Sequence, residues 1–470
     1  MKKLLCVLAA LFTLCLFSTV AYAADSEAYA FWDESGATLT LVASDSGVPE
    51  GDYGELLGGG ALPTDADDEY DWPWYYDDYI VHQIGTVIID SSMADYTGFT
   101  STAHMFDSFF FMTPLDLSNL NTANVTDMSY MFYDCGGFQD IGISGLDTSG
   151  ATNMSHMFEN VYLTDLDLSG FDTSNVTDMS YMFYDCGGFQ DIDLSGFDTS
   201  NVTNMSHMFE SCSDVTDLDL SGFDTSNVTD MSYMFYDCQA LTSLDLSNLN
   251  TENVTTMSKM FAICVNLTEL DLSSFNTANV TDMSYLCWNC QDLESVDVSS
   301  FNTANVTDMN SMFCMCYQLR SLDLSGFDTA NVTDMNGMFS HCHSLTELDL
   351  SSFDAPSLTA IDWMFFMCGN LKTIYCPAGT DWSGTDSRDV FTGDTALVGG
   401  SGTKYSEDNI DDKYACIDSS DHPGYFTAAS GSSAVGSVLS EGNAVVIIAV
   451  AVAAIGLVVV LCLAKKRKKA

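Results

Sequence analysis

The 470-residue sequence predicts an α/β repeat solenoid of about twelve 26-residue rungs. A parallel sheet is expected on one face, short helical or turn segments on the other, and one transmembrane helix at the C-terminal end. Three observations carry this expectation. A phrase of the form LDLSGFDTSNVTDMSYMFYDC recurs along the middle of the chain. Leucine alternates with polar residues at the start of each copy, as in a strand with one buried face. Residues 444–464 carry no charge except at their boundary with Lys465, Lys466, Arg467, Lys468 and Lys469.

Counted from the first apolar residue of the LDLS phrase, rungs begin at Leu115, Ile141, Leu166, Ile192, Leu218, Leu244, Leu270, Val296, Leu322 and Leu348. Every step is 26 residues except the 25 from Ile141 to Leu166, and divergent rungs at Ile89 and Ile374 flank the set. Within a rung the two leucines point inward and Asp and Ser outward. Gly-Phe-Asp-Thr then makes a turn. The following Asn-Val-Thr-Asp-Met-Ser-x-Met-Phe spaces its apolar residues by three, which suits a helical or 3₁₀ segment on the far side. A Cys and one further apolar residue close the rung. No rung buries its own apolar face, so neighbours must stack. Residues 130–141 recur letter for letter at 181–192, which suggests that rung number is free to vary.

The two ends give the expected address. Lys2 and Lys3, an apolar run and Ala21-Tyr22-Ala23 read as a secretory signal over residues 1–23. An acidic, aromatic cap follows over 24–88, then the solenoid over 89–373 and a divergent rung with a C-terminal cap over 374–427. A Ser/Gly tether occupies 428–443, the transmembrane helix Ala444 to Ala464, and a basic cytoplasmic tail 465–470. At ~1.5 Å per residue that helix crosses a ~30 Å hydrocarbon core, with the basic cluster on the cytoplasmic side. The expectation is a single-pass cell-membrane protein with its bulk outside. Charge narrows the partners: 66 Asp and Glu face 13 Lys and Arg, a net charge of -53, and no Lys or Arg lies between residues 24 and 258. A phosphate backbone would be repelled, which excludes nucleic acid. A hydrophobic fraction of 47% excludes a disordered polyanion.

The unit C-x-x-L-x-x-L-D-L-S-x-F-D-T-x-N-V-T-x-M-x-x-M-F resembles the BspA-type leucine-rich-repeat bacterial surface proteins, over residues 28–427. Tyr29-Ala30-Phe31-Trp32-Asp33 and Thr38-Leu39-Thr40-Leu41 look like that family's N-terminal cap. Leu397-Val398-Gly399-Gly400 and Pro423-Gly424-Tyr425-Phe426-Thr427 look like its C-terminal cap. Asp394 departs from the pattern, standing where the rung Cys would be, and the second rung lacks its Cys. The resemblance implies a leucine-rich-repeat-like fold and adhesion at a cell surface. It supplies no catalytic residues.

Two surfaces are candidates for binding. Asp165, Asp167, Asp191, Asp193, Asp217, Asp219, Asp245, Asp271, Asp297, Asp323 and Asp349 form outward rows on the strands. At ~4.8 Å spacing neighbouring carboxylates repel by ~0.9 kcal/mol even in water. Such rows are expected to stay ionised only with cations among them, and weakly bound Ca²⁺ is the one cofactor this suggests. The alternative is a solvated acidic face with diffuse counterions. Tyr130, Tyr181, Tyr233, Tyr285 and Trp288 form aromatic columns that serve either recognition or the convex-side core.

Other columns read as structural. Cys135, Cys186, Cys212, Cys238, Cys264, Cys290, Cys316, Cys342 and Cys368 share one offset and are expected to pack as buried thiols. Cys376 and Cys416 are the candidates for a disulfide across the C-terminal cap. Asn-x-Thr/Ser recurs in most rungs, as a turn requirement of the repeat or as glycan acceptors. No His stands ready to activate the Ser and Asp columns and there is no H-E-x-x-H, so no enzyme is expected. The reading is a surface adhesin for extracellular proteins or a neighbouring cell, with no small-molecule substrate. The alternative is a structural acidic envelope spacer without a specific ligand.

Overall fold

The computed structural model describes residues 26–429 apart from residue 77 and segments 110–114, 136–140, 163–165 and 189–191. The predicted signal, the transmembrane helix, the basic tail, nearly all of the tether, and Asp165 and Asp191 lie outside the described residues. Among those described, no helix is long and apolar enough to cross a membrane.

The N-terminal cap is built on strands β1 (Glu27–Asp33) and β2 (Thr38–Ser44), an antiparallel hairpin paired from Glu27↔Ser44 to Asp33↔Thr38. Strand β3 (Glu55–Leu56) pairs with β1, and β4 (Thr86–Ile89) runs parallel to β2, giving the order β3-β1-β2-β4. The unbroken apolar run in β1 has a physical reason, since both its faces are covered. Ala28, Ala30 and Trp32 enter the main core, while Tyr29 and Phe31 pack with Val42, Tyr53 and Leu56. From the aromatic segment 70–76, Trp72, Trp74 and Tyr75 enter the core while Tyr70 and Tyr76 stay exposed. Trp72 and Trp74 stack at 5.2 Å, and the Trp72 indole N–H donates to the Ala103 carbonyl at 2.7 Å.

The strand side of the solenoid contains β5 (Leu115–Asp116), β6 (Ile141–Gly142), β7 (Glu269–Asp271), β8 (Ser295–Asp297), β9 (Glu347–Asp349) and β10 (Thr373–Cys376). The C-terminal cap adds β11 (Phe426–Ala428). Pairing is parallel and in rung register: Leu115↔Ile141, Leu270↔Val296, Leu348↔Ile374, then Ile374↔Phe426. A second line of parallel bridges, one per rung, runs without a break from Ser101↔Asp127 to Asp334↔Ala360. Thr229 N–H, for example, donates to the Thr203 carbonyl at 2.9 Å.

Of the helical or turn segments expected opposite the strands, the described residues form turns. The chain there is a succession of tight turns. Donors alternate in direction: Tyr181 N–H reaches Ser206 of the next rung at 3.0 Å, Met182 N–H turns back to Met179 at 3.3 Å, and Phe183 N–H reaches Met208 at 3.0 Å. Tyr181 at φ +58° and Asp185 at φ +49° are left-handed, which stops a right-handed helix within one turn. The three-residue apolar spacing is real, but it counts turns.

Side-chain ladders lock the rungs together. The Cys212 thiol donates to the Phe183 carbonyl at 3.0 Å, and the other eight column cysteines make the corresponding bond. All nine are buried free thiols. Cys376 and Cys416 are also unbonded; Cys376 is buried, whereas the Cys416 thiol lies against the Lys413 and Pro423 carbonyls, so the proposed staple is not formed. The sequon asparagines are occupied as well: Asn227 Nδ2 donates to the Ser200 carbonyl at 2.7 Å, a bond a glycan there would remove.

Threonine forms a two-way clamp. Thr225 Oγ1 donates to the Asn250 carbonyl at 2.8 Å and accepts the Asn250 N–H at 2.8 Å, in a wholly buried position. Thr225→Val is therefore expected to cost about 1–3 kcal/mol by orphaning a buried amide. A lowered urea midpoint, recovered in Thr225→Ser, would show it; equal midpoints for Val and Ser would refute it.

Candidate functional site

The predicted acidic rows that the structure describes are on one exposed face. Asp167, Asp193, Asp219, Asp245, Asp271, Asp297, Asp323 and Asp349 all point outward beside buried or half-buried apolar neighbours. Asp271 and Asp297 are direct register partners. Between rungs this face forms a groove of about 1050 Å³, walled by carboxylates including Asp217, Asp219, Asp245, Asp271, Asp297 and Asp323 and floored by Leu218, Leu244, Leu270 and Val296.

These aspartates also have a structural task. Each of the eight row aspartates, Asp217 not among them, accepts the N–H of the serine two residues on, as Asp193 from Ser195 at 3.0 Å and Asp219 from Ser221 at 2.9 Å. The serine hydroxyl and then its N–H hold the carboxyls of Asp167, Asp193, Asp219, Asp245, Asp271 and Asp323 below the ordinary carboxylate range. Repulsion along the row acts the other way and is weaker: Asp193 and Asp245 both push Asp219 upward. Serine hydrogen bonds thus favour the ionised form of these six carboxyls. With folded values depressed, this contribution to stability is complete above the ordinary carboxylate range and is lost as pH falls through the depressed values. Among the described residues no three His, Cys, Asp or Glu side chains gather as a metal site.

The aromatic candidates are placed differently from a free recognition surface. Tyr130, Tyr181 and Tyr233 are half-buried with their rings stacked against histidines of adjacent rungs. Tyr285 faces Lys259, and Trp288 meets it edge-on at 6.0 Å. The histidines of this column were not singled out from the sequence. Their signal was present, since His104, His156 and His207 share the tyrosine offset in alternate rungs.

Parallel strand pairing at rung spacing, side-chain ladders and a repeated inward leucine define a leucine-rich-repeat solenoid. Residues 100–218, 210–296 and 288–382 match the family described as "Mycoplasma protein of unknown function, DUF285", and the chain belongs to this BspA-like family. Among solved structures it is similar to a leucine-rich repeat protein from Bacteroides ovatus, at 13% identity and a TM-score of 0.40, covering 79% of this chain and 92% of that one. No curated protein matches it.

Proposed function

We propose that the chain is a membrane-anchored cell-surface adhesin that receives extracellular macromolecules on the strand face of its solenoid. The observation that supports this most is the groove of about 1050 Å³, with carboxylates on its walls and leucines on its floor. A basic protein surface complements it, and a field of this sign speeds encounter with such a surface. Divalent cations shared by carboxylates of neighbouring rungs would extend the same face to acidic partners. Anchoring falls to residues 444–464, with the basic tail inside.

The test is binding of the purified protein to immobilised matrix proteins and whole partner cells, first in calcium and then in chelator. Saturable, partner-selective binding is expected, and its loss in chelator would assign cation bridging. Combined Asp193→Asn, Asp219→Asn, Asp245→Asn and Asp271→Asn substitution keeps the acceptor that each serine uses while removing four charges. Association is expected to slow about tenfold or more. Unchanged binding would exclude the strand face. Weak binding to every basic protein, abolished by moderate salt, would instead indicate an acidic spacer.

A further inference from the structure

One column position, which precedes Met-Phe in most rungs and Leu286-Cys287 in one, holds in rung order His104, Tyr130, His156, Tyr181, His207, Tyr233, Lys259 and Tyr285. All eight are left-handed, at φ from +56° to +61°. Glycine adopts that conformation freely, so bulky side chains kept there point to a use for the side chains themselves.

Six of them form one continuous stack. Ring centroids are 4.4 Å apart for His104–Tyr130, 4.1 Å for Tyr130–His156, 4.3 Å for His156–Tyr181, 4.1 Å for Tyr181–His207 and 4.3 Å for His207–Tyr233, with planes within 18°. Lys259 then takes the next ring's place. Its Nζ lies 4.7 Å from the Tyr233 centroid and 5.2 Å from that of Tyr285, and donates to Tyr233 Oη at 2.6 Å. Tyrosine thus alternates with a group that is a cation or can become one.

Carboxylates line the stack. His104 Nδ1 meets Asp107 at 2.8 Å, and His156 and His207 meet Glu159 and Glu210 in the same way. On the intervening rungs Tyr133, Tyr184 and Tyr236 lie beside the stack. Asp134, Asp185 and Asp237 act on these tyrosines from the outer turns, as does Glu69 from the N-terminal cap. Tyr75 of the cap donates to the His104 and Asp107 carbonyls. Burial, then Glu159, pushes Tyr130 up to about 12. Seven carboxylates therefore surround the stack against one ammonium, that of Lys259.

We propose that this stack is a cation–π ladder charged by acid, in which protonated His104, His156 and His207 take between tyrosine faces the role that Lys259 fills permanently. A neutral imidazole whose Nδ1–H faces a carboxylate takes its added proton at Nε2, so the carboxylate bond is kept while the ring gains charge. Acidification then tightens the histidine-bearing rungs.

Amide hydrogen exchange on the full-length chain tests this between pH 8 and 5.5, corrected for intrinsic exchange rates. Protection over residues 100–240 is expected to rise about tenfold relative to residues 290–370, whose rungs place Ser311, Gly337 and Trp363 in the column. Combined His104→Gln, His156→Gln and His207→Gln should abolish the rise. Combined His104→Lys, His156→Lys and His207→Lys should give high protection that no longer depends on pH. Equal profiles for the two halves of the wild type, or a rise that survives in either triple variant, would overturn the proposal. The wild-type comparison and the lysine variant decide it even if the glutamine variant fails to fold.

Discussion

Phe209→Ala is expected to cost about 3–5 kcal/mol and to divide unfolding of the solenoid into two transitions. Phe209 is 1% exposed and stacks on Phe183 at 5.8 Å and on Phe235 at 5.9 Å. Its carbonyl also accepts the Cys238 thiol at 3.1 Å. Removing the ring leaves a cavity shared by three rungs, and the loss falls on the coupling between neighbours. A rung array is cooperative only through those couplings. Weakening one should let the rungs before and after it melt apart. Urea unfolding followed by fluorescence and by hydrogen exchange would reveal the division. Phe209→Leu, closer in volume, should cost under about 1.5 kcal/mol and keep one transition. One unshifted transition in Phe209→Ala would show that the column does not couple the rungs.

Asp394→Cys is expected to stabilise the C-terminal cap by about 1–3 kcal/mol at pH 7. Asp394 occupies the column place 26 residues after Cys368 and is wholly buried. One carboxyl oxygen accepts the Cys368 N–H at 2.7 Å, and the other has no hydrogen-bond partner. Burial pushes this carboxyl well above the ordinary range. With the folded value raised, Asp394 costs nothing below the unfolded carboxylate value, and its cost grows as pH rises from there toward the folded value. The gain in Asp394→Cys should therefore shrink toward zero near pH 4. Denaturation of both proteins at the two pH values checks this, and an equal gain at both would show that charge is not the cause.

Much of the fold was legible because an inward side chain must recur wherever the rung recurs. Leu270, Val280, Met283 and Cys290 are all buried, as the alternation and the three-residue spacing required. What the spacing could not distinguish was a helix from a run of turns. The distinction lies in φ, and most left-handed residues here are bulky or charged, such as Tyr181, His207, Asp185 and Ile263, with glycine or asparagine at only a few, such as Gly337 and Asn289. The acidic rows were visible, but not the serine hydrogen bonds that favour their ionised form. These depend on the D-x-S spacing of Asp219 and Ser221, which alternation alone reads as two unrelated outward residues. The aromatic column was legible only in its tyrosines. Its histidines and Lys259 share the geometry without sharing the residue type, so matching like with like passes over them.

The rung-to-rung hydrogen bonds also govern how the chain responds to force. Bonds such as Tyr181 N–H to the Ser206 carbonyl join successive rungs. Tension that peels the terminal rung loads one rung's bonds while the others bear none, so the solenoid yields in sequence. Each 26-residue rung that detaches frees about 85–95 Å of extended chain. Rungs of nearly equal length make those steps nearly equal, and the solenoid becomes a length reserve drawn down in regular increments under load.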